Sequence, residues 1–336
     1  MKAAHRGIWI LAEGDGRRVA PISFELLTRG ADLAEKRGAD LTAFIMGAGF
    51  PDAELHRLID CGADRVLAAE APELEHFLVE PHAAVMLDAL QERRPEIVIA
   101  GATSTGRTLM PYVAAKADAG LTADCTLLDI EEDTGNLLQT RPAIGGNILA
   151  TIKTPDHRPQ MATVRPHSTR PAAPREGRTG EIERISPPKA LLKSRMRRVG
   201  FERESSDHPL QDAEIVVVAG RGVGKKDNIR VVEELSRALG AALGATRDVV
   251  DRGWLSYPHQ VGLSGKTVTP KLYVGVGASG SIQHLAGMQT SENIIAVNID
   301  PEAQIFRVAD IGVVGDLFDV VPALVERIKT MGRADE

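Results

Sequence analysis

The strongest constraint on the fold is a repeated alternation between short apolar runs and longer segments of helical periodicity. In the first half of the chain, runs such as 7–11 and 41–46 alternate with segments such as 22–36, whose apolar residues recur every three to four positions. Buried strands that alternate with helices form a parallel sheet covered by helices on both faces. The sequence therefore predicts an α/β fold in which residues 1–165 form a doubly wound parallel sheet. The predicted strands are 7–11, 41–46, 64–67 and 97–100, and the predicted helices are 22–36, 52–60, 74–91 and 109–116.

Two segments interrupt this alternation. From 127 to 164 the apolar runs become short and are separated by turn sequences such as EEDTGN and RPAIGGN, which predicts an antiparallel extension of the sheet. Residues 166–212 are rich in proline and charge and poor in apolar side chains, so they cannot bury a core of their own. We expect an extended linker, or an arm that wraps over a domain surface. The basic stretch within it, 193–203, is interpreted as a solvated connector.

The alternation resumes in the last third of the chain. Apolar runs at 215–219, 272–276 and 294–298 predict strands, and helical periodicity at 228–243 and 317–329 predicts helices. Residues 213–330 are therefore expected to form a second, smaller doubly wound domain.

Charge and cysteine content exclude several classes of protein. A net charge of -6 and a pI near 5.9 leave no general basic field for nucleic acid. No stretch reaches the roughly 18 apolar residues that a membrane-spanning helix needs. The two cysteines, Cys61 and Cys125, stand apart among small or apolar residues, which favours buried free thiols over a metal cluster. Free thiols indicate a reducing compartment, and the cytoplasm is the default expectation.

Small and polar residues follow the predicted strands of the second domain. GRGVG at 220–224 and GASGS at 277–281 come directly after strands, where open parallel sheets bind their ligands. Small residues before a helix suit a diphosphate on backbone amides. The span 275–280, GVGASG, also fits the nicotinamide-dinucleotide pattern, with Asp300 beyond it. That match is weak, because Gly275 falls inside the apolar run, where a packing glycine is an equally good interpretation.

Longer sequence words in this domain are more specific. RG at 221–222, GATR at 244–247, QVGLSGK at 260–266, SGSIQHLAGM at 279–288, NIDPEA at 298–303 and GDLF at 315–318 occur in that order. They resemble the FAD-binding domain of electron-transfer flavoprotein alpha subunits, closely from about residue 214 onward and more loosely in the first domain. TRDVVDRGW and QVGLSGKTV resemble the nitrogen-fixation-associated and bifurcating bacterial branch of that family.

The resemblance implies an FAD site with three residues that tune the flavin. Arg221 would lie against the isoalloxazine, Ser264 near flavin N5, and His284 near the pyrimidine C2 carbonyl. A fixed cation there favours the anionic reduced forms of the flavin. Ser264 stands where the family often has threonine. The other implied FAD-binding residues are Gly222, Thr246, Arg247, Gln260, Val261, Gly262 and Leu263 around the ring and phosphates, Ser279, Gly280, Ser281, Ile282 and Gln283 at the diphosphate and ribityl chain, and Asn298, Asp316 and Leu317 at the adenosine.

The resemblance also implies a partner and a function. The first domain would pack against a smaller beta subunit, and the heterodimer would carry electrons from a dehydrogenase to an acceptor such as a quinone oxidoreductase. Such a carrier needs no catalytic acid, base or nucleophile, and no metal. One alternative is an electron-bifurcating complex that oxidises NADH through a second FAD in the beta subunit, and in that case the complex is an enzyme. The other alternative is an NAD-dependent dehydrogenase built on GVGASG. The loop at 101–107, GATSTGR, lacks the ending of a P-loop and is interpreted as a structural turn or a subunit contact.

Overall fold

A computed structural model of the chain describes residues 5–143, 148–166, 168–200, 210–211 and 213–332. The chain divides into two units, Met1–Glu202 and Arg203–Glu336. Both are built on parallel sheets, and the predicted α/β class with two domains is confirmed. Within the described ranges, no helix is both long enough and apolar enough to cross a membrane.

The first unit is built on a seven-stranded parallel sheet with the strand order β10-β3-β2-β1-β4-β9-β5. Its elements are β1 (Ile8–Ala12), α1 (Pro21–Arg37), β2 (Leu41–Gly47), α2 (Asp52–Asp60), β3 (Arg65–Glu70), α3 (Val79–Arg93), β4 (Ile97–Gly101), α4 (Ser104–Ala117), β5 (Leu121–Cys125), β6 (Leu127–Ile130), β7 (Leu137–Ala143), β8 (Ile148–Ile152), β9 (Gln160–Val164) and β10 (Glu181–Ile185). The first four strands and the helices between them lie close to their predicted positions, except that α3 begins at Val79 and not at residue 74.

Alternating side chains of the central strand explain why helices cover both faces of this sheet. Ile8 and Ile10 of β1 point into a core that includes apolar residues of α1 and α2. Trp9 and Leu11 point to the opposite face, into a core that includes residues of α3 and α4. Both faces of a parallel strand are thus buried, as its continuous apolar run requires. Cys61 and Cys125 are buried free thiols, as expected.

The antiparallel strands form a sheet of their own. β6, β7 and β8 pair with one another in the order β6-β7-β8, whereas β9 returns to the main sheet as a parallel strand. The antiparallel strands are present as predicted, but they form a separate sheet and do not extend the main one. The main sheet ends with β5, in which Asp124 has a positive φ of 61° and its carboxylate accepts two hydrogen bonds from Arg165. The pairing of β5 with β9 is irregular between Thr122 and Cys125, and the next strand, β6, pairs only with β7.

The proline-rich arm belongs structurally to the first unit as far as residue 200, whereas Leu210 near its end packs into a core of the second unit. Its strand β10 pairs in parallel with β3 and closes one edge of the main sheet, a strand that the sequence did not predict. Two ion pairs flank this strand, Arg65 with Glu181 and Arg93 with Glu183. Further along, Glu80 accepts hydrogen bonds from the backbone and the guanidinium of Arg195. The arm thus contacts the domain surface as far as Arg195. Residues 167, 201–209 and 212 of the predicted segment, and 201–203 of the basic stretch, lie outside the described residues.

One arginine of the arm holds the end of helix α2. Arg178 donates to the carbonyl oxygens of Ile59 at 3.0 Å and Gly62 at 2.9 Å, and to the Asp64 carboxylate at 2.8 Å. Truncation removes a charged donor from all three acceptors, so we expect Arg178→Ala to lower the free energy of unfolding of the first unit by about 1–3 kcal/mol.

Urea unfolding followed by the fluorescence of Trp9, in a Trp254→Phe background, measures this effect, because the remaining tryptophan then reports only on the first unit. Arg175→Ala is the matched control, since Arg175 lies on the same arm but is exposed. Equal midpoints for the two variants would show that the arm does not stabilise the unit through Arg178.

The second unit has a five-stranded parallel sheet with the order β12-β11-β13-β14-β15. Its elements are β11 (Ile215–Ala219), α5 (Ile229–Ala238), β12 (Ala242–Ala245), α6 (Arg247–Asp251), β13 (Leu272–Val276), α7 (Ile282–Leu285), β14 (Ile294–Asn298), β15 (Ile311–Val314) and α8 (Leu317–Gly332). Helices α5 and α8 pack on one face, while the other face is covered largely by connecting segments that contribute Val261, Val268, Met288 and Ile305.

Two strands of this sheet were missed by the sequence prediction. The expected helix 228–243 ends at Ala238, and β12 begins at Ala242. Gly240, with a φ of 62°, lies in the turn between them, and a left-handed glycine ends a helix in this way. β15 was missed because it is a short edge strand with mostly exposed residues.

Candidate functional site

A cleft of about 330 Å³ opens at the carboxyl ends of β11 and β13. The connection from β11 runs to β12 on one side, and the chain then returns to β13 on the other side, so the strand order reverses between β11 and β13. Open α/β sheets bind their ligands at such a point. The cleft is lined by Arg221, Thr246, Arg247, Asp248, Gln260, Val261, Gly262, Leu263, Ser264, Ser279, Gly280, Ser281, Gln283 and His284.

Glycines allow the two strand-end loops to approach each other closely. The backbone N–H of Gly222 donates to the carbonyl of Gly277 at 2.9 Å. Gly280 has a φ of 78°, and a Cβ there would lie 2.3 Å from the backbone nitrogen of Ile305. That nitrogen donates to the carbonyl of Ser279 at 3.1 Å. The loop after β13 therefore has its shape only because residue 280 has no side chain.

The segment 260–264 forms another wall and is tied to its surroundings by hydrogen bonds. The Gln260 side-chain amide donates to Ser264 Oγ at 3.0 Å, and the Tyr257 hydroxyl donates to the Ser264 carbonyl at 3.0 Å. The backbone N–H of Leu263 donates to the carbonyl of Gln283 at 2.7 Å. Leu263 is nevertheless 71% exposed, so its apolar side chain is available for contact with a ligand.

Two guanidinium groups bring positive charge to the cleft. Arg221 Nη1 lies 3.4 Å from Asp248 Oδ2, and Arg247 Nε lies 3.2 Å from Asp251 Oδ2. All four side chains are more than half exposed, so these ion pairs are weak and can exchange for a ligand anion. Asp248 was missed by the sequence analysis. Its position directly after GATR was the available signal.

His284 lines the cleft but forms its hydrogen bonds inside the protein. Its Nδ1 lies 3.1 Å from the Val261 carbonyl, and its Nε2 lies 2.7 Å from the hydroxyl of Tyr273. Burial lowers the pKa of His284 from its usual value, which the hydrogen bond to Val261 opposes. The ring is therefore neutral at pH 7, and both of its nitrogens already have partners. The expected hydrogen bond to a flavin carbonyl would require one of these bonds to be exchanged.

Orphaned polar groups on the cleft indicate that it accommodates a polar ligand. Thr246 Oγ1 is buried and has no hydrogen-bond partner within the described residues. In the short helix α7, the N–H groups of His284 and Leu285 donate to the Ser281 carbonyl, whereas the amides of Ile282 and Gln283 precede the first bond of the helix. A buried hydroxyl without a partner is costly unless a ligand or water satisfies it. Among the residues that the structure describes, no group of His, Cys, Asp or Glu is arranged to hold a metal ion.

Some predicted site residues do not line the cleft. Asn298 donates to the Ala278 carbonyl at 2.8 Å and so ties two strand ends together. Asp316 accepts from the Phe318 N–H at 2.9 Å and caps α8. The Leu317 side chain is buried in the core beneath α8, so only its backbone could meet a ligand. Gly222 and Ile282 lie beside the lining residues, and cofactor contact at all five positions stays a prediction.

The loop at 101–107 has a structural explanation. Thr103 Oγ1 accepts from the Gly106 N–H at 3.0 Å and donates to Glu13 Oε1 at 2.7 Å. It thereby caps α4, and a Cβ on Gly106 would lie 1.8 Å from the Gly101 carbonyl oxygen. The interpretation as a tight turn accounts for these contacts.

A larger cleft of about 510 Å³ lies in the first unit, at the amino ends of β1 and β2. Open α/β sheets bind their ligands at the carboxyl ends of the strands, so this cleft lies at the opposite end. Arg37 and Arg93 on its walls are paired with Glu96 and Glu183. Its charge is largely compensated, and the smaller cleft at residues 221–284 is the better candidate site.

Comparisons with known proteins agree with this location. The electron transfer flavoprotein domain matches residues 8–190, and the electron transfer flavoprotein FAD-binding domain matches residues 209–289. The electron transfer flavoprotein subunit alpha of Thermoanaerobacterium thermosaccharolyticum is 42% identical over 97% of this chain and 99% of its own. That of Clostridium acetobutylicum is 44% identical over 98% of both chains. The lactate dehydrogenase (NAD(+),ferredoxin) subunit LctC of Acetobacterium woodii is 39% identical over 98% of this chain and 78% of its own. This chain therefore belongs to the electron transfer flavoprotein alpha-subunit family, and its cofactor is FAD.

Proposed function

We propose that this chain holds FAD in the cleft of its second unit and, as a heterodimer with a beta subunit, carries electrons from a dehydrogenase to an acceptor. The observation that carries the proposal is the position of the cleft. All of its lining residues, from Arg221 to His284, fall within the segment that matches the FAD-binding domain. The cleft also lies at the reversal point of the sheet, where α/β folds bind nucleotides.

The residues of the cleft fit the two chemically different parts of FAD. The backbone of 279–283 and the first amides of α7 suit the anionic diphosphate. The exposed surface of Leu263 and the hydroxyl of Ser264 suit the flat, mostly apolar isoalloxazine with its polar N5 edge. Thr246 Oγ1 gains the hydrogen-bond partner that it lacks in the protein alone.

The flavin supplies the one- and two-electron chemistry, and the protein sets its environment. Arg221 and Arg247 place positive charge on the cleft wall, while Asp248 offsets part of it. No proton-transfer residue is needed, and the neutral, internally bonded His284 is consistent with a site that holds charge without moving a proton.

Co-expression with the candidate beta subunit tests this proposal. We expect one stable heterodimer with FAD bound, and we expect its flavin to accept electrons from a dehydrogenase and to pass them to a second protein. Extraction and quantification of the flavin measure the first property, and stopped-flow absorbance of the flavin measures the second. A heterodimer that does not bind FAD, or whose bound flavin no protein partner reduces, would contradict it.

An electron-bifurcating assembly is the second candidate, and one observation favours it. The relative LctC belongs to a lactate dehydrogenase named for both NAD(+) and ferredoxin, which are two different redox partners. If this chain works in the same way, its heterodimer contains two FAD molecules and oxidises NADH. A heterodimer with one FAD that does not oxidise NADH would favour the simple electron carrier over the bifurcating assembly.

The nicotinamide-dinucleotide pattern at 275–280 has a structural explanation. Gly275 lies inside β13, and a Cβ there would lie 2.8 Å from Ile305 Cδ1. The residue is a packing glycine, so the first position of the fingerprint has a purely structural explanation.

A further inference from the structure

We propose that Tyr273 is a positioning residue for the flavin site, which acts by fixing His284 in one neutral tautomer. This inference rests on the proposed placement of FAD in the cleft. Tyr273 lies on β13 beneath the cleft and is fully buried, and its hydroxyl contacts Nε2 of His284 at 2.7 Å. Neither the family match nor the sequence words assign a function to this tyrosine.

The two hydrogen bonds of His284 determine where its proton lies. The Val261 carbonyl can only accept, so Nδ1 of the ring must carry a hydrogen and donate to it. In a neutral imidazole the other nitrogen then has no hydrogen and accepts. The Tyr273 hydroxyl is therefore the donor to Nε2, and both partners are satisfied in a buried site.

The same arrangement opposes protonation of the ring. A proton on Nε2 would point at the Tyr273 hydroxyl hydrogen, so the hydroxyl would have to rotate and lose its acceptor in the core. A hydrogen bond to the neutral form disfavours the charged form, in addition to the effect of burial. Burial also raises the pKa of the Tyr273 phenol, so the phenol keeps its proton. His284 thus presents a neutral ring to the cleft, and the positive charge there comes from arginine.

The other charged side chains around His284 remain unchanged when the tyrosine hydroxyl is removed. Arg221, Arg247 and Asp248 line the same cleft, and the residues packed around Tyr273 on β13 and beneath α7 are predominantly apolar. Any shift in the protonation of His284 on replacement of Tyr273 by phenylalanine is therefore caused by the missing hydroxyl. The shape of the core is nearly preserved by this change.

Imidazole ¹⁵N NMR of the full chain without FAD tests the tautomer directly. We expect His284, identified by the resonances lost in His284→Gln, to show a protonated Nδ1 and an unprotonated Nε2. In Tyr273→Phe we expect its protonation midpoint to move to higher pH. An Nε2–H tautomer in the natural protein, or an unchanged midpoint in Tyr273→Phe, would overturn the inference.

The flavin potential of the FAD-loaded heterodimer provides a second measurement. As the pH falls, a ring that protonates more readily adds a cation beside the flavin. The potential of Tyr273→Phe should therefore rise more steeply toward low pH than that of the natural protein. This difference should vanish in a His284→Gln background, because the tyrosine then has no ring to act on. Tyr112→Phe, which makes the same change in the first unit, is the matched control.

These measurements separate the two levels of the proposal. If His284→Gln changes the flavin potential and Tyr273→Phe does not, the positioning function of Tyr273 is wrong while the placement of FAD stands. If His284→Gln also leaves the potential and the FAD affinity unchanged, the placement itself is wrong.

Discussion

Replacement of Gly280 by alanine is expected to weaken FAD binding strongly while the first unit remains folded. Gly280 has a φ of 78°, and an added Cβ would lie 2.3 Å from the backbone nitrogen of Ile305 and 2.6 Å from its Cα. Left-handed strain and a backbone clash together cost roughly 2–5 kcal/mol, which the loop can relieve only by moving. That loop contributes Ser279 and Ser281 to the cleft, so we expect the FAD affinity to fall on the order of a hundredfold or more.

Fluorescence titration of the heterodimer with FAD measures this loss. Gly240→Ala is the matched control: Gly240 also has a positive φ, of 62°, but a Cβ there meets nothing within 4 Å. It lies in the turn before β12, at the amino end of that strand, whereas the cleft opens at the carboxyl ends of the strands. The control should be mildly less stable and should bind FAD normally. Similar affinity for FAD in both variants would mean that the loop after β13 does not hold the cofactor.

The second large effect is expected on the flavin potential when an arginine of the cleft is removed. A cation beside the ring stabilises the negative charge of the reduced flavin, so Arg221→Ala should lower the potential. Interactions between charges strengthen when a ligand displaces water. We therefore expect a change of about tenfold in the reduction equilibrium, which is about 59 mV for a one-electron step.

Redox titration of Arg221→Ala and Arg247→Ala side by side also locates the ring. The variant with the larger drop identifies the guanidinium closer to the isoalloxazine, and the other guanidinium is then closer to the phosphates. Arg237→Ala on α5, at an exposed position paired with Glu233, is the control and should leave the potential unchanged. If both cleft variants retain the natural potential, the arginines do not tune the flavin.

The buried strands were predictable because their apolar runs leave few alternatives. The run 215–219 is a strand with those bounds, and so are 272–276 and 294–298. Strand β10 could not be predicted in the same way. Three of its five residues are charged, and none is fully buried. The strand is held by ion pairs such as Arg65–Glu181, whose partners lie far away in the sequence.

The candidate site was likewise predictable only in part. The words around Gln260 and Ser279 predicted most of the lining through their resemblance to the FAD-binding domain of the family, which supplies positions that composition alone does not. The partnership between Tyr273 and His284 was not predictable, since Tyr273 lies within an apolar strand and only the fold brings its hydroxyl to the ring. Likewise, Leu317 stands in a sequence word that implied contact with the adenosine, but its side chain is buried in the core.

We propose above all that the last third of the chain holds a flavin at the reversal point between β11 and β13. An experimental structure of the heterodimer saturated with FAD tests it most directly. We predict the isoalloxazine beside Leu263, Ser264 and His284, with the diphosphate on the backbone of 279–283. A structure in which FAD is ordered elsewhere, with this cleft empty, would contradict the claim.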